Sequence, residues 1–156
     1  MNNCFIILAG GKSSRMGTDK AFLHGGVSRL SKEMRKSGCG RIIVMCGSSE
    51  REELFAEECV IDQGETLGES LQILLSTLQG EIQLASCDAI HADADFFSTL
   101  KGVPLDQNGK RQPLLARFVL PLPYTDSNKI SDIFETIPSC EGGIKASNAN
   151  YPRDLR

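Results

Sequence analysis

One segment near the start of the chain concentrates residues suited to holding an anion: Leu8-Ala9-Gly10-Gly11-Lys12-Ser13-Ser14-Arg15-Met16-Gly17-Thr18-Asp19-Lys20. Glycines let a backbone pass close to a ligand and take positive φ. Successive N–H groups around them form a concavity that accepts anions. Arg15 brings a rigid, forked cation and Lys20 a compact point charge, both suited to phosphate oxygens. Two better-known phosphate loops do not fit. A Walker A loop needs glycine five residues before Gly11, where Ile6 stands, and the dinucleotide pattern G-x-G-x-x-G is absent. On residue types alone, the competing reading is a solvated turn with incidental basic side chains.

The elements around this segment decide where it sits. Cys4 to Ala9 is a continuous apolar run, the pattern of a strand buried on both faces. Ser28 to Lys36 has helical character, with Gly38 just past its end. Arg41 to Cys46 reads as a second buried strand, Ser49 to Glu58 as a short acidic helix, and Cys59 to Asp62 as a brief third strand. Thr66 to Gln79 is the clearest helix. Leu67, Leu71, Leu74, Leu75 and Leu78 form its apolar face, Thr66 and Glu69 form a capping box, and Gly80 stops it. Ile82 to Ser86 is a fourth strand, and Asp93 to Leu100 a short helix. Asn108-Gly109 predicts a hairpin joining Val103–Leu105 to Leu114–Phe118, and a last short helix is expected over Lys129–Ile137.

Alternation of strand and helix implies right-handed βαβ units and a mostly parallel sheet. The expected fold is α/β, a three-layer α/β/α sandwich with a Rossmann-like sheet and a hairpin insertion, in a single domain over residues 1–156. In such sheets ligands sit beyond the carboxyl ends of the strands. The glycine segment, Asp62 and Asp88 all fall at such ends. For Asp88 a helix cap or a loop position competes with a ligand role, and for Asp62 an ordinary turn does. His24 and His91 read as surface residues and Cys87 as a packed thiol.

Composition narrows the class. At 40% hydrophobic and 24% charged residues the chain is globular, and a net charge of −3 argues against broad duplex binding, so no nucleic-acid partner is expected. No apolar run approaches the roughly 20 residues of a membrane span. Six cysteines without any C-x-x-C pair read as reduced, buried thiols, and a cytoplasmic location is expected.

The segment from Leu8 to Lys20 resembles the signature loop of the sugar-nucleotide pyrophosphorylase-like nucleotidyltransferases, most closely the molybdenum cofactor guanylyltransferases: LAGG, a small residue, Arg-Met-Gly, then Asp-Lys. Val60-Ile61-Asp62 resembles that family's strand ending in an aspartate near the guanine nucleotide. Ser86-Cys87-Asp88 resembles its Cys-Asp element, whose aspartate binds magnesium. Gln112-Pro113-Leu114 resembles its later hairpin strand, and Asn148 to Leu155 its closing segment. There are departures. Met45-Cys46-Gly47 stands where the family carries Asn-Ala-Asn, Glu65 to Glu69 replaces a Gly-Pro-Leu-Ala-Gly turn, Ala89-Ile90 lacks the usual proline, Tyr151 replaces a threonine, and the stretch from Val119 to Ser147 is short.

The resemblance implies transfer of GMP from GTP to molybdopterin, giving molybdopterin guanine dinucleotide and pyrophosphate. Leu8, Ala9, Gly10, Gly11, Lys20, Asp62 and Asp88 would contact the nucleotide, Arg15 and Lys20 would stabilise the leaving group, and Asp88 would hold Mg2+. It also implies transient contact with other cofactor-biosynthesis proteins. Two alternatives stay open: a relative using another base or acceptor, such as cytidylyl transfer or a sugar phosphate, and a nucleotide-binding relative without turnover.

Overall fold

The computed structural model describes residues 3–9 and 26–147. A five-stranded sheet runs through it in the order β3-β2-β1-β4-β6. Strands β1 (Asn3–Leu8), β2 (Ile42–Gly47), β3 (Glu58–Ile61) and β4 (Gly80–Ser86) are mutually parallel, and β6 (Arg117–Leu120) runs antiparallel to β4. A second, two-stranded sheet pairs β5 (Val103–Asp106) in parallel with β7 (Ser139–Gly143).

Strand β1 shows why the apolar runs lie in the middle. Its side chains alternate between two separate cores. Phe5 and Ile7 join Val27, Leu30, Met34 and Phe97 on one face, whereas Ile6 and Leu8 join Leu71, Ile82, Leu84 and Phe134 on the other. Helices α1 (Gly26–Lys36) and α3 (Ala94–Thr99) cover the first face; α2 (Leu67–Leu75) and α4 (Ile130–Ile133) cover the second. The result is the three-layer α/β/α arrangement that continuous apolar strands require. In α1 the buried set Val27, Leu30, Ser31 and Met34 follows helical spacing, and Gly38, at φ 98°, takes the left-handed turn beyond its end.

Several elements differ from the sequence-based expectation. Helix α2 starts where predicted, with Thr66 Oγ1 accepting the Glu69 N–H at 3.1 Å, but it ends at Leu75. Beyond it the Ser76 and Thr77 hydroxyls donate to the carbonyls of Ile73 and Leu74. Such local bonds compete with the helical ladder, and Gly80 becomes the first residue of β4. Leu67 lies exposed. The Asn108-Gly109 turn forms: the Gly109 N–H donates to Asp106 O at 2.9 Å, and Leu105 bridges Arg111. The ladder is interrupted there, because Pro113 has no N–H to continue it, and it resumes only as a single antiparallel bridge between Gly102 and Arg117. Residues Pro113–Leu115 make a 3-10 turn, β6 leaves for the main sheet, and β5 pairs with β7 instead. The acidic segment after β2 is a 3-10 helix, Ser49–Leu54, and the last predicted helix shortens to α4.

No helix among the described residues is long and apolar enough to cross a membrane. All six cysteines are free thiols. Burial pushes Cys4, Cys39, Cys46 and Cys140 above the ordinary thiol value, and Cys59 up to about 11.

Candidate functional site

Four parallel strands place their carboxyl ends on one edge, and the chain reverses its direction of travel across the sheet between β1 and β4. That switch point is where an open α/β sheet leaves a crevice for ligand. The edge is closely tied there. Leu8 aligns with Ser86 on one side and Met45 on the other. The Cys87 N–H donates to Leu8 O at 3.2 Å, and the Ala9 N–H to Met45 O at 3.0 Å. Leu8 and Ala9 are buried, so what they offer a ligand is the direction in which the backbone leaves β1. Gly10, Gly11, Arg15, Lys20 and His24 lie outside the described residues, as does the closing segment from Asn148 onward.

Asp88 stands on the β4 side of the crevice, in a tight turn. The Ala89 N–H donates to Ser86 O, Ile90 N–H to Asp88 O, and Ala92 N–H to Ala89 O. One carboxyl oxygen of Asp88, Oδ1, is withdrawn from solvent. From α1, Arg29 reaches across to this turn. Its Nη1 donates to Ala92 O at 2.6 Å and its Nη2 to Ala89 O at 2.8 Å. Burial lowers the Arg29 pKa, while Glu33 and Asp93 nearby act to raise it. Glu33 accepts the Ala94 N–H at 3.0 Å, a bond that, ahead of Lys36, holds its carboxyl below the usual range. Asp93 caps α3 through the Phe96 N–H and pairs with Lys145 at 2.9 Å. Burial raises the Asp93 pKa, but Lys145 and the Phe96 N–H together outweigh it, leaving a net lowering.

On the other side of β1, Arg51 performs a comparable bridging. Nη2 donates to Ala9 O and Nε to Cys46 O, both at 2.8 Å. The register of β2 against β3 shifts between Met45 and Gly47, and Gly47 takes φ 96°. Met45 and Cys46 are both fully buried. Their side chains therefore belong to the core and cannot reach a ligand as the polar residues expected at this place would. Asp62, just past β3, donates its N–H to Gly47 O at 3.0 Å. Its Oδ1 is buried with no hydrogen-bond partner among the described residues, and burial pushes its pKa up, with the Gly47 N–H opposing. A carboxylate oxygen in that state suits a ligand that brings N–H donors.

Asp62 and Asp88 cannot share one ion. Their strands are separated by β2 and β1, which is three strand spacings, about 14 Å. Among the described residues no group of three His, Cys, Asp or Glu side chains converges on a common point. One hard carboxylate at the switch point nevertheless fits Mg2+, which usually keeps water and takes one or two carboxylates together with substrate phosphates. His91 is exposed, as expected. Arg29 and Arg51 are site residues that residue types alone do not reveal: each acts on carbonyls distant in sequence, and nothing in the local pattern marks it.

Residues 5–117 match the MobA-like NTP transferase domain, and the chain belongs to that family of nucleotidyltransferases. No curated protein matches the sequence significantly. Among solved structures, the molybdopterin-guanine dinucleotide biosynthesis protein A of Archaeoglobus fulgidus superposes with a TM-score of 0.68 at 16% identity, over 97% of this chain and 94% of that one. A nucleotidyl transferase from Methanothermobacter thermautotrophicus gives 0.69 at 16% identity, over 99% and 94%. The bifunctional IspDF of Campylobacter jejuni gives 0.67 at 17% identity, over 99% of this chain and 53% of that one. These likenesses concern the fold, which is that of the nucleotide-diphospho-sugar transferases.

Proposed function

We propose that this chain transfers GMP from GTP to the terminal phosphate of molybdopterin, releasing pyrophosphate. The observation that carries the reading is the joining of two features at the switch point: the end of β1, from which the glycine segment departs, is hydrogen-bonded through Leu8 to the strand end that bears Asp88. The family match and the molybdopterin-guanine dinucleotide biosynthesis protein among the structural neighbours support it.

In this reading an oxygen of the acceptor phosphate attacks the α-phosphorus of GTP, a new P–O bond forms, and the bond to the bridging α–β oxygen breaks. The acceptor is already anionic, so no protein nucleophile is needed, and the work of the site is alignment and charge stabilisation. Backbone N–H groups at Gly10 and Gly11 hold phosphate oxygens. Arg15 and Lys20 would offset the charge that accumulates on pyrophosphate. Asp88 would hold Mg2+, and the ion would supply positive charge to offset the charge on the phosphates. Asp62, with its buried acceptor oxygen, receives donors of the base; the guanine edge supplies a ring N–H and an amino group.

One observation supports a second reading, a relative that uses another base or acceptor, such as cytidylyl transfer. Met45 and Cys46 are buried, so recognition of the base falls on fewer side chains than in relatives with polar residues there. Pyrophosphate release measured with GTP, CTP, ATP and UTP, with Mg2+ and with or without molybdopterin, separates the cases. The expected result is acceptor-dependent release from GTP. Release from CTP alone would replace the base assignment, and binding of GTP without release from any nucleotide would make the chain a nucleotide-binding relative.

A further inference from the structure

Arg29 has no part in the signature loop, and among the described residues its hydrogen bonds go to backbone carbonyls, through which it braces the turn carrying Asp88. Its planar fork donates to Ala89 O at 2.8 Å and to Ala92 O at 2.6 Å. Both alanines are fully buried. Ala89 directly follows Asp88, and Ala92 directly precedes the Asp93 cap of α3. The two bonds therefore fix the backbone immediately after Asp88 and the point where the next helix begins. Glu33, one turn along α1, adds a third tie through the Ala94 N–H. Helix α1 thus grips residues 89–94 from outside. A metal-binding carboxylate on a turn needs its approach direction set by neighbouring groups, and losing such support typically weakens metal binding by about ten- to a hundredfold.

Resting on the nucleotidyltransferase reading above, we infer that Arg29 is the positioning residue for Asp88: it sets the direction in which the carboxylate meets a divalent cation and so governs metal affinity. Lysine keeps the charge but can satisfy only one carbonyl well, because its donors radiate from a point instead of lying in a plane. Methionine keeps the length and satisfies neither.

The test uses the full chain with Mn2+ as probe, reading free Mn2+ by electron paramagnetic resonance in the presence of saturating GTP. Arg29→Lys, Arg29→Met, Asp88→Asn and Lys145→Met are compared with wild type. Lys145→Met removes the ion pair with Asp93 but leaves both carbonyl bonds in place, which controls for loosening of the same region. Metal-free GTP affinity and thermal unfolding are measured on each protein. The expected order of Mn2+ affinity is wild type equal to Lys145→Met, then Arg29→Lys, then Arg29→Met, about tenfold or more weaker than wild type. Metal-free GTP affinity should stay unchanged in the Arg29 and Lys145 variants, while Asp88→Asn sets the lower limit of Mn2+ binding. Should Arg29→Met fail to fold, Arg29→Lys carries the comparison. Wild-type Mn2+ affinity in the Arg29 variants, or an equal loss in Lys145→Met, would overturn the inference alone. A wild-type chain that holds no Mn2+ with GTP present would overturn the reading of the site, and the inference with it.

Discussion

Asp62 places a carboxyl group where burial favours its neutral form, the Gly47 N–H being the smaller and opposite influence. With a folded pKa above the unfolded one, the protonated carboxyl favours the fold in acid, and that contribution is lost as pH rises through the raised value. A neutral amide avoids the loss. Asp62→Asn is therefore expected to match or exceed wild-type stability, by a margin that widens from acid to neutral pH. It should also weaken nucleoside triphosphate binding by about 1.5–3 kcal/mol, the worth of hydrogen bonds to a charged acceptor. Denaturant unfolding across a pH series, with a nucleotide titration at neutral pH, checks both effects. Parallel pH profiles for the two proteins would show that the carboxyl is not held in an apolar setting. At this scale the sequence placed Asp62 and Asp88 correctly at strand ends, because a strand's limits show in its apolar run. It did not reveal Arg29 or Arg51, because what defines their roles is the position of backbone carbonyls up to 63 residues away.

Helix α2 shows the same division among elements. Its start is local chemistry: Thr66 Oγ1 accepts the Glu69 N–H, and Thr66→Ala should cost about 1 kcal/mol, as removing such a cap generally does. Two residues later the outcome depends on the rest of the molecule. Helix propensity alone would make Gly68→Ala stabilising by about 1 kcal/mol. A Cβ at Gly68, however, would run into the backbone carbonyl of Asn128, in a segment held against α2 by Gln72, which donates to Ser127 O and Asn128 Oδ1. Gly68→Ala is therefore expected to destabilise by about 1–3 kcal/mol, as overpacking does. Melting temperatures of the two variants decide the matter, and a more stable Gly68→Ala would show that residues 126–128 do not press on the helix. Strand β7 was invisible for a related reason. Ser139-Cys140-Glu141-Gly142-Gly143 has little strand propensity and is ordered by its pairing with β5, while Gly142 leaves space for Pro104 and Ala146.

Across the whole molecule, the candidate site and the apolar groove are on opposite edges. A groove of about 910 Å3 opens between α2 and residues 119–125, against Gly80 and Glu81 at the amino end of β4, whereas Leu8, Asp62 and Asp88 lie at the carboxyl ends. If nucleotide binds at the carboxyl edge, GTP with Mg2+ at about 100 times its dissociation constant should add about 2.7 kcal/mol to stability, read as a rise in melting temperature. Asp88→Asn should reduce that rise. A melting temperature unmoved by any nucleoside triphosphate at millimolar concentration would remove the carboxyl edge as a nucleotide site. The sequence by itself determined the parallel core of the sheet, the capped helix starts at Thr66 and Asp93 and the strand-end placement of both aspartates, because periodicity, caps and apolar runs are local properties. Only the tertiary structure decided that β5 leaves the predicted hairpin for β7, that Met45 and Cys46 turn into the core, and that two arginines secure the carboxyl edge. Each of these depends on which backbone groups distant parts of the chain leave to be satisfied, and that is settled only when the layers close on one another.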